Sequence, residues 1–503
     1  MEERHSMATE AQKLLAEYRR GKAALDARVV ENDQWYRLRH WQRMRPSGNP
    51  GDPEPASAWL LNCLLNKHAD AMDNYPEPVV LPREEGDRAD ATVLSAVLPV
   101  ILEQNGFEQT YSDMWWQKLK SGAGILGVFW NPSKQGGQGD VDVRRVDILN
   151  LFWEPGVTDI QDSRNVFHVE LRDNEDLLAR YPQLEGKLGQ GADRPQVYVY
   201  DDAIDTSKKT AMVDWYYKRD GLLHYAKIVN GEVLYDSQED PACAGRGFYD
   251  HGQYPFVFDA LFSCEGMPAG FGYLDVCKEP QMYIDRLNQV ILKNAIMASR
   301  PRWFVRQDGI VNEEEYADWD RDFVHYTGSG DPEEHIRPIQ VKPVSDIFVS
   351  ILNNKIEELK ETSGNRDFTQ GGTVGGVTAA SAIAALQEAG SKLSRDMIKA
   401  SYRAFTQVCY LIIELMRQFY DEPRSFRIVG ERGAQSFVLY SNARPAWNTA
   451  CPWAGACPYS IFASSRKKPT PFPKWRKTSW PRNSIRWAFS TRRTRRRRSS
   501  AWR

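Results

Sequence analysis

Residues 378–422, TAASAIAALQEAGSKLSRDMIKASYRAFTQVCYLIIELMRQFYDE, constrain the fold more than any other stretch of the chain. Apolar residues recur three or four apart, at Ile383, Leu386, Leu393, Met397, Ala404, Val408, Leu411, Leu415 and Phe419, which is the period of one long helix. Thr378 suits the cap and Pro423 stops the run. At about 1.5 Å per residue such a helix spans roughly 65 Å, more than a compact domain usually needs. Its first third is built of small residues, Ala379 to Ala385, which let neighbouring helices approach closely; its last third is bulky. Before it lies an aperiodic stretch, Gly364 to Val377 (GNRDFTQGGTVGGV), and before that a shorter helical run, residues 345–363. Two helices joined by a glycine-rich loop suit a moving element on a rigid frame.

The other elements read α+β. A helix is predicted over 7–44, a loop over 45–57 and helices near 57–74, 88–105 and 108–121, with an extended PEPVVLPRE between the first two. Short strands follow at 125–130, 141–146, 151–154 and 166–171, a short helix at 174–181, and strands at 196–200 and 212–218. Residues 222–229 and 232–235 around Asn230-Gly231 form the clearest hairpin, because Asn-Gly fits a turn with two positive φ angles. A further strand covers 254–261. Residues 274–299 return to helix. Strands at 303–306 and 335–341 enclose a short helix, 313–319, and strands at 425–429 and 436–440 close the ordered pattern, with no period expected past Asn442.

Charge divides the chain unevenly. The net of −2 hides a body (1–431) with 48 basic and 67 acidic residues and a segment, 432–503, with 17 basic residues and no acidic one. The basic segment has two readings. One is a nucleic-acid arm, in which arginines neutralise phosphates and tryptophans stack. The other, preferred, is out-of-frame translation of a GC-rich gene from about residue 443 onward, since six of the sixteen tryptophans fall between Trp447 and Trp502. No run of eighteen apolar residues exists, so no membrane span is expected. Residues 1–20 lack the apolar core of a secretory signal. Seven scattered cysteines read as reduced thiols.

No motif supports catalysis. Gly122-Ala-Gly124-Ile-Leu-Gly127 spells the dinucleotide fingerprint, but a helix precedes it and a strand follows, the reverse of what a phosphate site needs. Gly371 to Val377 does precede a helix, yet lacks the Gly-Lys-Ser/Thr ending of a nucleotide loop. The histidines are isolated, and Cys451 and Cys457 have the wrong spacing for zinc. Neither a cofactor nor a metal site is expected. An ATPase or nucleic-acid-processing enzyme using the glycine loops remains the alternative reading.

Taken together, residues 272–275 (GYLD), 294–301 (NAIMASRP), 375–390 (GGVTAASAIAALQEAG) and 394–396 (SRD), with 75–83 and 249–255, resemble a tailed-bacteriophage portal protein, the head-to-tail connector, of the short-tailed-phage kind. The likeness covers roughly 1–440. It implies a subunit with an α+β wing over 1–270, stem helices at 271–299 and 344–363, a small α/β clip at 300–343, a tunnel loop at 364–377, a long helix toward the crown at 378–422 and a short strand pair at 423–442, before the basic low-order tail, 443–503. It implies Asn365, Arg366, Asp367, Phe368, Gln370, Gly371, Gly372 and Thr373 as the loop residues facing DNA. Glu313, Glu314, Glu315, Asp318 and Asp320 would be the terminase-facing acids of the clip. It further implies self-assembly into a ring, usually a dodecamer, around double-stranded DNA. The remaining partners implied are the terminase large subunit, the major capsid protein or scaffold and a head-completion or tail adaptor, in a virion assembled in the host bacterial cytoplasm. No chemistry of its own is implied. An acidic body agrees with a channel wall that does not grip phosphates, and an acidic clip with a basic docking partner.

Overall fold

The computed structural model describes residues 2–44, 52–188, 206–243, 245–299, 302–305, 336–339, 345–364, 392–429, 435–441 and 459–465. All belong to one compact unit, Met1–Arg466; a second unit, Lys467–Arg503, lies outside the described residues. The class is α+β, as expected: long helices with strands gathered in small separate sheets.

The described helices are α1 Glu2–Tyr36, α2 Trp41–Met44, α3 Trp59–Asp73, α4 Arg88–Gln104, α5 Phe107–Ser121, α6 Asn174–Arg180, α7 Tyr273–Ser299, α8 Asp346–Ser363 and α9 Lys392–Phe419. The five-stranded sheet is a plain antiparallel meander: β4 Leu151–Trp153, β5 Asn165–Asp173, β6 Lys209–Arg219, β7 Leu222–Val229 and β8 Glu232–Asp236. Its turns are built by residues that tolerate a left-handed backbone. Asn230 (φ 48°) and Gly231 (φ 82°) join β7 to β8, as read from the sequence, and Asp220 and Gly221 (φ 52° and 78°) join β6 to β7. One face of this sheet, with Phe167, Trp215 and Tyr217, packs on Ala8, Ala11, Leu15 and Tyr18 of α1.

The larger core forms where α3, α4, α5, the start of α7 and α9 meet a three-stranded sheet. That sheet is β2 Ala123–Asn131 between β3 Asp140–Val146 and β9 Phe256–Ala260. α9 buries Met397, Ala404, Val408, Leu411 and Leu415 of the stripe its periodicity predicted, and adds Phe405, Cys409, Ile412 and Met416, which widen it; Phe419 is half-buried. The start proposed for this helix, 378–391, lies outside the described residues, as do the strand expected at 196–200 and the helix at 313–319.

Two boundaries differ from the sequence reading for reasons that are tertiary. The helix expected over 7–44 breaks after Tyr36, where Leu38 takes φ 57° and the chain doubles back so that His40 stacks on Trp35 at 4.1 Å. At its other end, α9 stops at Phe419 rather than Glu422, because Tyr420 turns inward and its hydroxyl donates to the buried Asp140. Two strand pairs were not anticipated. β10 Phe262–Cys264 pairs with β11 Met267–Phe271, and β16 Tyr459–Ser465 pairs with β1 Pro76–Pro82. The second corrects the expectation that no strand survives past Asn442.

One buried histidine links this fold to pH. His251 accepts a hydrogen bond at Nδ1 from the Gln253 amide at 3.0 Å, and burial, with Arg417 adding, lowers its pKa to about 3. The unfolded chain therefore binds a proton below its ordinary 6.5 that the fold refuses. This stability is complete above pH 6.5 and falls as the pH drops from there toward 3, by about 1.4 kcal/mol per unit. His251→Asn keeps an acceptor in place; its unfolding free energy, measured by urea titration, should fall by about 2 kcal/mol less than that of the wild type between pH 6.5 and 5.

Candidate functional site: a helix pair anchored on one rail

α7 and α8 pack against each other and run antiparallel. Lys355 of α8 lies 5.6 Å over the Tyr283 ring of α7, while Cys277 of α7 and Ser363 at the end of α8 both gather at Cys63. Burial, with Cys63 adding, pushes the Cys277 thiol up to about 12. The ends of the pair differ sharply. Near the body, Leu274, Cys277, Gln281, Ile284 and Asp285 of α7 and Leu359 and Ser363 of α8 are buried. Away from it, Val290, Leu292 and Ile296 of α7 and Ile347, Val349 and Ile351 of α8 are 41–59% exposed. The distal tips lead to β12 Arg302–Val305 and β13 Ile336–Ile339, an antiparallel pair in the segment expected to form a small terminal α/β module.

The proximal ends are held by one face of α3. Trp59, Cys63, Lys67, Asp70 and Asn74 recur at i, i+4, i+8, i+11 and i+15, which stacks them along one side of the helix and its cap. Trp59 lies 5.7 Å beneath Lys360, and Cys63 Sγ donates to Ser363 Oγ at 3.2 Å. α8 ends there on Gly364, whose φ of 64° needs no Cβ. Three to four residues farther along the rail, Lys67 donates to Ser394 Oγ at 3.1 Å, and Ser394 donates to Asp70 at 2.7 Å. Burial lowers the pKa of Lys67, with Asp70 opposing. Tyr402 OH donates to the Asn74 carbonyl at 2.9 Å. Ser363 and Ser394, which bracket residues 365–391 in sequence, thus both sit against one helix, at Cys63 and Asp70, about 10 Å apart along its axis.

Two further buried networks fix the frame. Asp285 of α7 accepts from His40 Nε2, the Ser57 amide and Gln281 Nε2 at 2.9, 2.9 and 3.0 Å. The segment 52–57 lies strapped along α7, through Lys293 to Asp52 at 2.9 Å and Gln289 to the Pro53 carbonyl at 2.9 Å. On the other side, Lys118 of α5 bridges Asp259 of β9 and Ser401 of α9, 2.7 Å to each, and Ser401 donates to Asp259. Serine beside a lysine whose pKa burial lowers has the chemistry of a nucleophile and base. Here all three groups are buried at the junction of α5, β9 and α9, out of reach of a substrate, and they act as a pin. The Gly122–Gly127 fingerprint is likewise closed: Gly122 (φ 97°) caps α5 and leads into β2, and a Cβ there would sit 2.6 Å from the Phe271 backbone.

The sequence profile of the phage P22-like portal protein family matches residues 69–449. The chain belongs to that family. Comparison with individually curated proteins gives no match. Membership makes the chain a phage portal protein, a component of the virion, in a family that is structural rather than catalytic. No helix among the described residues is long and apolar enough to cross a membrane.

The residues expected to contact partners, Asn365 to Thr373 in the loop and Glu313 to Asp320 in the clip, lie outside the described residues. The described frame places what flanks them: the α3 rail at the ends of the loop segment, and the β12–β13 pair next to the clip acids in sequence. Sequence reasoning missed the rail. Its signal was available, because Lys67, Asp70 and Asn74 at i, i+3 and i+7 put three polar side chains on one side of α3 and its cap.

Proposed function

We propose that this portal protein assembles into a ring at one capsid vertex, that double-stranded DNA is packaged and ejected through its centre, and that the α7–α8 pair forms the ring's stem. The observation that carries the reading is the distal apolar surface. At about 100° per residue, Val290 stands some 200° round α7 from Leu292 and some 240° from Ile296, and Val349 some 200° round α8 from Ile347 and Ile351. Each helix therefore offers apolar side chains on two opposite sides. A two-fold dimer needs one self-complementary patch; a closed ring of identical subunits needs two different ones.

In this reading the wing is 1–270, the stem 271–299 and 344–363, the clip 300–343 and the tunnel loop 364–377. The clip acids Glu313, Glu314, Glu315, Asp318 and Asp320 receive the terminase large subunit. Asn365, Arg366, Asp367, Phe368, Gln370, Gly371, Gly372 and Thr373 make light, sequence-blind contacts with the passing duplex. The capsid protein or scaffold and a head-completion adaptor complete the partners, twelve copies complete the ring, and assembly takes place in the host cytoplasm. The segment from residue 443 is proposed to be out-of-frame text, which sequencing the locus for a one-base slip tests.

Negative-stain microscopy with mass measurement of the full chain tests the ring. Closed rings with a central hole are expected, and a stable monomer at micromolar concentration would overturn the reading. Leu292→Asp with Ile347→Asp should abolish the rings while leaving the melting temperature of the subunit within a few degrees, since exposed substitutions cost little in an isolated chain.

A further inference from the structure

β1 reads Pro-Glu-Pro-Val-Val-Leu-Pro, and three prolines in seven residues argue against a strand in a sheet interior. All three fall on even positions, 76, 78 and 82, in phase with Val80. In an antiparallel strand the N–H and C=O of one residue point to one edge and those of the next residue to the other. The edge that Val80 faces is closed by α4: Ser95 Oγ accepts from the Val80 amide and donates to the Val80 carbonyl, both at 3.1 Å. The missing proline amides thus lie on the closed edge. The opposite edge, formed by Glu77, Val79 and Leu81, keeps every donor and acceptor. β1 can take one strand, on one side.

In this chain that side is filled by β16, in seven consecutive antiparallel pairs from Pro76↔Ser465 to Pro82↔Tyr459. The strand is held inward by Ile461, 5% exposed and opposite Val80, while Phe462 stands 55% exposed beside Val79 and Leu81. The acceptor and Ser95 lie inside the family-matched residues 69–449; the strand that fills the edge lies outside them. The edge lies within the family-matched body, and its occupant comes from beyond the match.

We propose that β1 is a strand-acceptor site for an extended segment of a partner polypeptide, one with an aliphatic side chain opposite Val80 and apolar side chains toward Val79 and Leu81, and that residues 459–465 hold the site in competition with that partner. With β16 displaced, the exposed apolar side chains of Val79 and Leu81 are what such a partner would cover, as Phe462 does in this chain. The proposal does not rest on the ring.

The test uses the full chain with Cys243, Cys264, Cys451 and Cys457 replaced by Ser, carrying Val79→Cys and, to release β16, Ile461→Asp. The probe is a synthetic peptide of residues 458–466 with cysteine in place of Phe462, offered in a glutathione redox buffer. Val79 and Phe462 are register partners, at a spacing of about 5.5 Å that a disulfide spans. Saturable capture is expected on the released chain, at least about tenfold stronger than on the same chain with Ile461 intact. Capture should fall by a similar factor when the peptide's own isoleucine is replaced by aspartate. No capture by the released chain, or capture indifferent to either isoleucine, overturns the proposal. Hydrogen exchange on the unmodified chain supplies a reading independent of the variant's folding. The amides of Glu77, Val79 and Leu81 should be protected together and open before those of α4; exchange of all three at free-peptide rates overturns the proposal as well.

Discussion

Lys118→Met should destabilise the junction of α5, β9 and α9 by about 3–5 kcal/mol, because it leaves Asp259 as a buried charge with only Ser401 to bond it. The figure is the cost of breaking a buried pair; the worth of making one is a different and smaller quantity. The Lys118 ammonium is fully enclosed, lies 4.5 Å over the Trp115 ring, and has given up its water for two hydrogen bonds. Replacing all three groups by apolar ones of similar size, Lys118→Met with Asp259→Leu and Ser401→Ala, should restore most of the loss, since no polar group is then stranded. Hydrogen exchange along α9 measures both. If the single and the triple variants are equally destabilised, the network is contributing packing and its charges are incidental. The functional stake is that this pin fixes α9 to β9, and α9 carries Ser394, the re-entry point of the segment expected to face DNA.

What the sequence made legible is what depends on near neighbours along the chain. The β7–β8 hairpin follows from Asn-Gly between alternating residues, and α7 and α8 from apolar spacing and from stops at Pro301 and Gly364. The closed fingerprint at Gly122–Gly127 was readable from element order alone. What stayed hidden depends on distant partners. The turn at 37–40 exists because His40 reaches Asp285 on another helix. The strand character of 459–465 comes from an edge at 76–82, some 380 residues earlier, and its own text, YSIFASS, is too short and too weakly alternating to announce a strand. Lys118, Asp259 and Ser401 sit on three elements and look unremarkable on each. The candidate site divides the same way. α7 and α8 could be placed from periodicity, but the rail on α3 required knowing that Cys63 meets Ser363 and Lys67 meets Ser394. Nothing in the sequence separates the exposed apolar residues of the distal helices from core positions; only the fold shows that they face outward.

Asp285→Ala should cost a comparable 3–5 kcal/mol and should in addition free the strap over 52–57. The carboxylate is wholly buried and is the acceptor for three donors at once: His40 Nε2, the Ser57 amide and Gln281 Nε2. Gln281 retains the Ser57 carbonyl as a partner, whereas the imidazole N–H and the Ser57 amide are left in the core with nothing to bond. Asp285→Asn should be milder, because one oxygen still accepts and only the amide NH2 faces a donor. A purely global loss of stability is separated from this by Leu274→Ala, a buried cavity variant about three helical turns earlier in α7, expected to cost about 2–5 kcal/mol with the strap still in place. The distinguishing readout is hydrogen exchange at Ser57 under native conditions: fast in Asp285→Ala, still protected in Leu274→Ala. Protection unchanged in both would mean that the strap is held by Lys293–Asp52 and Gln289–Pro53 instead. The outcome bears on the stem directly. Asp285 is the last fully buried residue of α7 before its exposed half begins, so the three bonds it accepts set the angle at which the distal apolar surfaces leave the body, where the proposed ring would cover them.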